Sequence, residues 1–200
     1  MSDTMKRDGK RKSVQSESDV WKGLAAGVVG GLVASWTMNQ FQALLGKLME
    51  NEERSHGAQS LQQGSPQHGI GRELQEQGKD DPEDTAPARL ANALSVAIFN
   101  HELTKSEKEV AGAVFHYAMG VSSGAIYGVV AEAMPETTIG AGLPFGAAIW
   151  VVVDEGLVPA VGLSKSPTEY PLSVHAYAFA SHLVFGLTTE LVRRAVRAAL

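Results

Sequence analysis

The chain of 200 residues contains no cysteine, and this absence excludes several kinds of chemistry. Disulfides, thiolate metal sites, cysteine nucleophiles and S-palmitoylation all need a thiol. The common enzyme motifs are missing too: there is no Gly-x-Ser-x-Gly elbow, Walker loop, His-Glu-x-x-His helix or dinucleotide-binding Gly-x-Gly-x-x-Gly. We therefore expect no enzymatic activity, no cofactor and no bound metal.

Charge is also missing from long stretches of the chain. The mean hydropathy of −0.06 is typical of a soluble protein, but it averages polar segments with strongly apolar ones. Between Val110 and Ala131 there is no Lys, Arg, Asp or Glu. About 20 apolar residues in a helix cross a bilayer core. Four segments are long enough: Val20–Leu45, Val110–Met134, Ile139–Leu163 and Val174–Val192.

Two other interpretations of these segments fit the sequence less well. A soluble helical bundle would keep a charged face on its surface helices, whereas these segments are apolar or small on all sides. Basic residues before Val20 resemble a signal peptide, but the apolar run is longer than a typical signal sequence and has no clear cleavage site. We predict an all-α integral membrane protein, a bundle of four transmembrane helices. The polar turn Met134–Thr138 predicts a hairpin of the second and third helices.

The distribution of basic residues predicts the orientation, because cytoplasmic loops carry an excess of Lys and Arg. Residues 1–19 form a polar, basic N-terminus, and Arg193, Arg194 and Arg197 follow the last apolar segment. Four crossings place both ends on the cytoplasmic side. The stretch 46–109 and the link Ser164–Pro171 are then external. No basic surface for nucleic acid is indicated.

The external stretch 46–109 has two parts. Residues 51–87 are rich in Gln, Gly, Ser and acidic residues and predict a flexible segment, in which His56 and His68 are assigned no role. Residues 88–103 place Leu90, Leu94 and Ile98 at helical spacing. This pattern predicts an amphipathic helix that either lies in the membrane interface or docks on the bundle. Thr104 and Glu107 predict a capping box at the start of the next helix.

Small residues recur every four positions in each apolar segment. In membranes, helices associate through close packing, which glycine permits by letting backbones approach. We expect packing within one chain or between two chains, and Gly23, Gly27 and Gly31 could equally form a homodimer. The glycines predicted to pack are Gly23, Gly27, Gly31, Gly120, Gly124, Gly128 and Gly186.

Ionisable residues inside membrane segments are costly and face protein or water-filled space. The candidates in this chain are His116, Glu132, Asp154, Glu155, His182 and Glu190. His116, Asp154 and His182 could together form a proton path or a metal site, while hydrogen bonding between helices is the simpler role. His175 lies seven residues before His182 and shares its face. Near Pro159, the helix carrying Asp154 and Glu155 could break into a hydrated end.

From the second helix to the C-terminus the chain resembles the YagU-like bacterial inner-membrane proteins. The resemblance rests on Tyr127–Pro135, on Gly162-Leu163 before a proline-containing link, on Ser181–Val184 and on Glu190–Arg194. It implies an inner-membrane location and several spans, and no activity. It also marks Glu132, His182 and Glu190 as candidate residues.

These observations predict a non-enzymatic accessory or structural protein of the inner membrane. The alternative is a small proton or ion conductor, or a pH-responsive membrane protein, that uses the histidines and carboxylates of its spans. The expected partners are the lipid bilayer and either a second copy of the chain or another membrane protein, with no nucleic acid.

Overall fold

The computed structural model describes residues 2–49 and 84–200. Within the first range, side chains are described for residues 19–47. The flexible segment predicted over 51–87 lies almost wholly outside these residues, as do His56 and His68. Within the described ranges every regular element is helical. We number the main helices α1 Ser2–Met49, α2 Ala86–Phe99, α3 Lys105–Ala133, α4 Leu143–Ala160 and α5 Leu172–Ala199.

The predicted capping box starts α3. Thr104 Oγ1 accepts a hydrogen bond of 3.4 Å from the Glu107 amide, and Glu107 Oε2 accepts one of 2.8 Å from the Thr104 amide. Two amides that the helix itself leaves unpaired are satisfied in this way. The capping prediction is confirmed.

A tight connection between α3 and α4 is present, as a short 3₁₀ turn over Pro135–Thr138. The two helices, however, pack mainly on other partners: α3 lies against α1 and α2, and α4 lies against α5. They meet near the turn, where the rings of Tyr127 and Phe145 stack at 4.3 Å. The predicted hairpin is therefore present as a connection, and the two helices are in contact near its turn.

The third apolar segment forms a shorter and less regular helix than predicted. Gly140, Ala141 and Gly142 all have positive φ, a conformation that does not continue a right-handed helix, so α4 begins at Leu143 instead of Ile139. Trp150–Leu157 forms π-helical turns that carry Asp154 and Glu155. Such wide turns are uncommon and often lie at functional sites.

Polar and charged side chains are buried inside this bundle beside apolar ones such as Tyr127 and Phe185, and many large apolar side chains are exposed outside. Arg89, Asn92, Thr189 and Glu190 are among the largest fully buried side chains. The exposed large apolar residues occur on every main helix, among them Trp36, Phe99, Ile126, Val152 and Leu191. Within the described residues two helices, α3 and α4, are long and apolar enough to cross a membrane.

Candidate functional site

Glu190 of α5 is fully buried and bound by arginines of its own helix. Its carboxylate accepts hydrogen bonds of 2.7 Å from Arg193 Nε and 3.1 Å from Arg193 Nη2, and a third from Arg194 Nε. Arginine donors at three and four residues along a helix lie on the same face as the acceptor. The buried charge of Glu190 is therefore compensated within α5.

Glu132 of α3 joins the same group of charges. Arg197 Nε donates to Glu132 at 2.9 Å, Arg197 Nη2 donates to Asp19 of α1 at 2.9 Å, and Arg193 Nη1 lies 3.5 Å from Glu132. We call this group the arginine cluster; its members are Asp19, Glu132, Glu190, Arg193, Arg194 and Arg197. It connects α1, α3 and α5 at one end of the bundle. Sequence analysis identified Glu132 and Glu190 but not Asp19, which lies far from them along the chain.

The hydrogen bond to Glu132 raises the pKa of the Arg197 guanidinium above its ordinary value. Three carboxylates face three arginines, so the charges of the cluster balance. This arrangement suits the attachment of helices to one another.

His175 and Glu155 form a second pair, at the opposite end of α5. His175 Nδ1 lies 2.7 Å from Glu155 Oε1, and Nε2 lies 3.0 Å from the Pro167 carbonyl oxygen. A carbonyl oxygen only accepts, so Nε2 carries a proton. The imidazole thus connects the π-helical part of α4 to the 3₁₀ turn Pro167–Glu169. Glu155 thus belongs to the pair with His175 and is separate from Asp154.

His116, Asp154 and His182 all line one cavity, with a volume of about 1250 Å³, between α3 and the π-helical part of α4. Asp154 is almost fully buried, and its Oδ2 lies 3.7 Å from His182 Nδ1. His182 Nδ1 also lies 2.9 Å from the Ala178 carbonyl oxygen. That oxygen can only accept, so Nδ1 is the donor and Nε2 is left as the proton acceptor of the neutral ring.

His116 faces the cavity from α3, and its Nε2 is buried with no hydrogen-bond partner among the described residues. The sequence-based grouping of these three side chains therefore corresponds to one place in the fold. Among the described residues, no three His, Asp or Glu side chains are grouped so that they could hold a metal ion.

The glycines of α1 and α3 lie against each other. A Cβ added to Gly27 would lie 3.0 Å from Gly128 Cα, and one added to Gly128 would lie 2.9 Å from Gly27 Cα. Gly23, Gly31, Gly120 and Gly124 meet the facing helix in the same way, and Gly186 of α5 meets Gly142 and Gly146 of α4. These contacts are within one chain.

Helix α2 presents its polar side to the protein and its apolar side outward. Arg89 and Asn92 are buried, with Arg89 Nη1 donating to the Leu163 carbonyl oxygen at 3.2 Å and Asn92 Oδ1 accepting from the Leu103 amide at 2.9 Å. Ile98 and Phe99 are exposed by 66% and 75%. The helix docks on the bundle, one of the two predicted placements, and the face that it leaves outward is apolar.

Residues 72–191 match the model of a family described as protein of unknown function (DUF1440). The match covers α2, α3, α4 and most of α5, and so includes the cavity wall apart from the side contributed by α1, and part of the arginine cluster. Comparison with curated proteins and with solved structures finds no match.

Proposed function

The chain belongs to this family of unknown function (DUF1440), and we propose that it is a four-span inner-membrane protein with an accessory or structural role and no enzymatic activity. The observation that carries the proposal is the distribution of side chains, with several charged groups buried inside and many large apolar groups exposed outside. In water this arrangement would expose several large apolar groups, each worth about 1.5–3 kcal/mol if buried. In lipid, apolar groups are favoured outside and polar groups inside.

The outward residues of α1 and α5 support adding these two helices to α3 and α4 as spans. On α1, Trp21 is exposed by 69% and Trp36 by 57%, with Leu32 and Leu44 also outward. On α5, Leu187 and Leu191 are exposed, while Glu190 between them along the chain is buried. Both helices are long enough to cross a hydrocarbon core of about 30 Å at a rise of 1.5 Å per residue.

The arginine cluster supports cytoplasmic termini. Lys22 Nζ donates to the Leu200 carbonyl oxygen at 2.8 Å, so the start of the apolar part of α1 and the end of α5 lie together. The basic N-terminal sequence and the three arginines then belong to the same side, which the positive-inside rule assigns to the cytoplasm. The motifs shared with the YagU-like proteins support the same location and that finer membership.

Several buried polar groups are hydrogen-bonded within the protein, which supports a structural role. Ser35, Ser181 and Thr189 donate to carbonyl oxygens one turn earlier in their own helices. The arginine cluster and the His175–Glu155 pair connect different elements. The glycine contacts between α1 and α3 are covered inside the chain, so a homo-oligomer would use another surface.

The test of this proposal is the oligomeric state and ion flux of the purified protein in liposomes. A structural or accessory protein gives a defined assembly and no flux of protons or ions across the membrane at any pH. A sustained flux that depends on the protein would contradict the accessory role.

A second candidate function, a response to protons or ions, is favoured by the cavity that collects His116, Asp154 and His182. In this role His182→Ala would remove the response without unfolding the protein. Circular dichroism of the purified variant checks the fold, and a pH-dependent fluorescence or flux signal checks the response. An unchanged signal in His182→Ala would end this candidate.

A further inference from the structure

The cavity reaches one end of the bundle and stops inside it. Its wall includes the exposed residues Lys105, Glu109 and Glu169 at the end where α3 and α5 begin. Its deepest wall residues are Gly120, Ser123, Ile149 and Phe185. Among the described residues, no member of the arginine cluster lines the cavity. The cavity therefore extends from one end of the bundle to about the middle of the helices.

Between the inner end of the cavity and the arginine cluster, aromatic rings fill the bundle. Phe145 stacks on Tyr127 at 4.3 Å and lies 6.0 Å from Phe185. Tyr127 and Phe185 are 3% and 4% exposed. Beyond these rings lies the arginine cluster, and the glycine contacts keep α1 close against α3. Among the described residues, the lining of the cavity does not extend past these rings to the arginine cluster.

The two ends of the cavity differ in chemistry. At the mouth it carries six charged side chains, Asp84, Lys105, Lys108, Glu109, Lys165 and Glu169, and the Lys108–Asp84 pair is held at 2.7 Å. Further in, the charged or titratable groups are His116, His182 and Asp154, while the wall contributed by α1 offers Ser35, Met38, Asn39 and Gln42. A charged mouth admits water, and buried polar groups retain it.

We propose that this cavity is a one-sided aqueous vestibule, open away from the arginine cluster, in which His116 and His182 bind protons from that side. The proposal rests on the membrane architecture proposed above and deepens the second candidate function. The ring nitrogens of His116 and His182 identify the proton as the ligand. His116 Nε2 has no described partner, and Nε2 of His182 is the acceptor once Nδ1 donates to Ala178.

A proton on His182 Nε2 creates an imidazolium whose Nδ1 already lies 3.7 Å from the Asp154 carboxylate. With the inner end closed, a bound proton returns to the side from which it came. The vestibule thus supports sensing of protons from one side and not conduction across the membrane.

The absence of cysteine allows a direct test with single-cysteine variants and a charged, membrane-impermeant thiol reagent. Ser123→Cys measures whether the reagent reaches the inner end of the cavity. Glu169→Cys marks the side of the membrane on which the cavity opens, and Leu200→Cys marks the side of the arginine cluster. Ile126→Cys is the matched control, because Ile126 lies less than one turn from Ser123 on α3 and is 65% exposed on the outer surface. In lipid its thiol stays protonated and unreactive.

The reagent is added to one side of sealed proteoliposomes, and the marker variants give the orientation. We expect Ser123→Cys to react from the same side as Glu169→Cys, at least roughly tenfold faster than Ile126→Cys, since only a hydrated thiol ionises. Reaction from the Leu200→Cys side, or reaction only with lipid-soluble reagents, would overturn the vestibule. Reaction of Glu169→Cys and Leu200→Cys from one side would instead overturn the membrane topology of α5.

Proton binding has its own measurement in the same proteoliposomes. Nitrogen NMR of the imidazole rings, assigned with His116→Gln and His182→Gln, follows protonation as the pH on the Glu169 side changes from about 8 to 5. We expect each ring to gain a second proton, which binds at Nε2 in His182, while the pH on the other side is constant. Rings that stay unchanged would refute proton binding, whatever the labelling result.

Discussion

Gly124 of α3 lies directly against Gly31 of α1: a Cβ added to Gly124 would come within 2.7 Å of Gly31 Cα and 2.8 Å of Gly31 N. Real Cβ atoms do not approach backbone this closely, so any side chain larger than hydrogen would push the two helices apart. Close backbone approach is one of the forces that hold membrane helices together. The contact therefore predicts how substitutions along this row behave.

Gly124→Ala should destabilise the protein by about 1–3 kcal/mol, the usual cost of overpacking a filled site. Gly124→Leu should prevent correct folding. The matched control is Gly46→Ala in α1, where nothing lies within 4 Å of the added Cβ. Thermal unfolding in detergent measures both variants. Equal melting temperatures for Gly124→Ala and Gly46→Ala would show that α1 and α3 do not meet here.

Glu190→Gln removes the charge that compensates buried Arg193, which is 7% exposed. Breaking one partner of a buried ion pair costs about 3–5 kcal/mol, because it leaves the other charge uncompensated. Unfolding in denaturant should show this loss. Glu136→Gln, at an exposed carboxylate near the same end of the bundle, should change stability by less than about 0.5 kcal/mol. Similar stabilities of the two variants would exclude a structural role for the arginine cluster.

His175→Ala removes both contacts of the imidazole, to Glu155 and to the Pro167 carbonyl oxygen. Leaving these partly buried acceptors without a donor costs at most about 1–3 kcal/mol. The amides of Glu169 and Tyr170, which donate to Ser166 and Pro167, should then exchange hydrogen faster.

His101→Ala serves as the control for this effect, because the ring of His101 is mostly exposed and its pair with Glu107 is long, at 3.7 Å. Its substitution should leave the exchange of Glu169 and Tyr170 unchanged. Normal protection of these two amides in His175→Ala would contradict a connecting role for His175.

The tryptophans test whether α1 lies in lipid. Trp36 faces outward, whereas the ring of Trp150 packs against Phe179 with centroids 4.9 Å apart and its Nε1 is buried. In single-tryptophan variants, brominated lipid should quench Trp36 more strongly than Trp150. Equal weak quenching of both would place α1 outside the hydrocarbon core.

The helical character of the chain and the positions of its breaks could largely be predicted from the sequence. Pro135 follows α3, and the Thr104–Glu107 spacing starts it, because these signals act over a few residues. Helix α4 begins four residues later than predicted, because Gly140, Ala141 and Gly142 have positive φ where Gly142 lies against α5. Sequence alone does not contain that contact.

The site was predicted as a set of residues but not as an arrangement. Spacing places His175 and His182 on one face of α5. It does not indicate that Glu155 pairs with His175 or that Asp154 lies near His182. These choices follow from the π-helical turns of α4, which rotate successive side chains to different neighbours. The pairing of Arg197 with Asp19 could likewise not be predicted from the sequence, because α1 and α5 are brought together only by the tertiary fold.

The most direct test of the membrane architecture is a map of the side on which single cysteines react, at Ser13, Ser65, Glu136, Glu169 and Leu200. Ser13 lies in the polar N-terminal part of α1 and Ser65 comes after α1 in the sequence. Glu136 and Glu169 lie in the turns before α4 and α5, and Leu200 follows α5. Four spans predict that Ser13, Glu136 and Leu200 react from one side and Ser65 and Glu169 from the other. Ser13 reacting together with Ser65, or Glu169 together with Leu200, would contradict the four-span account and leave α3 and α4 as the membrane helices.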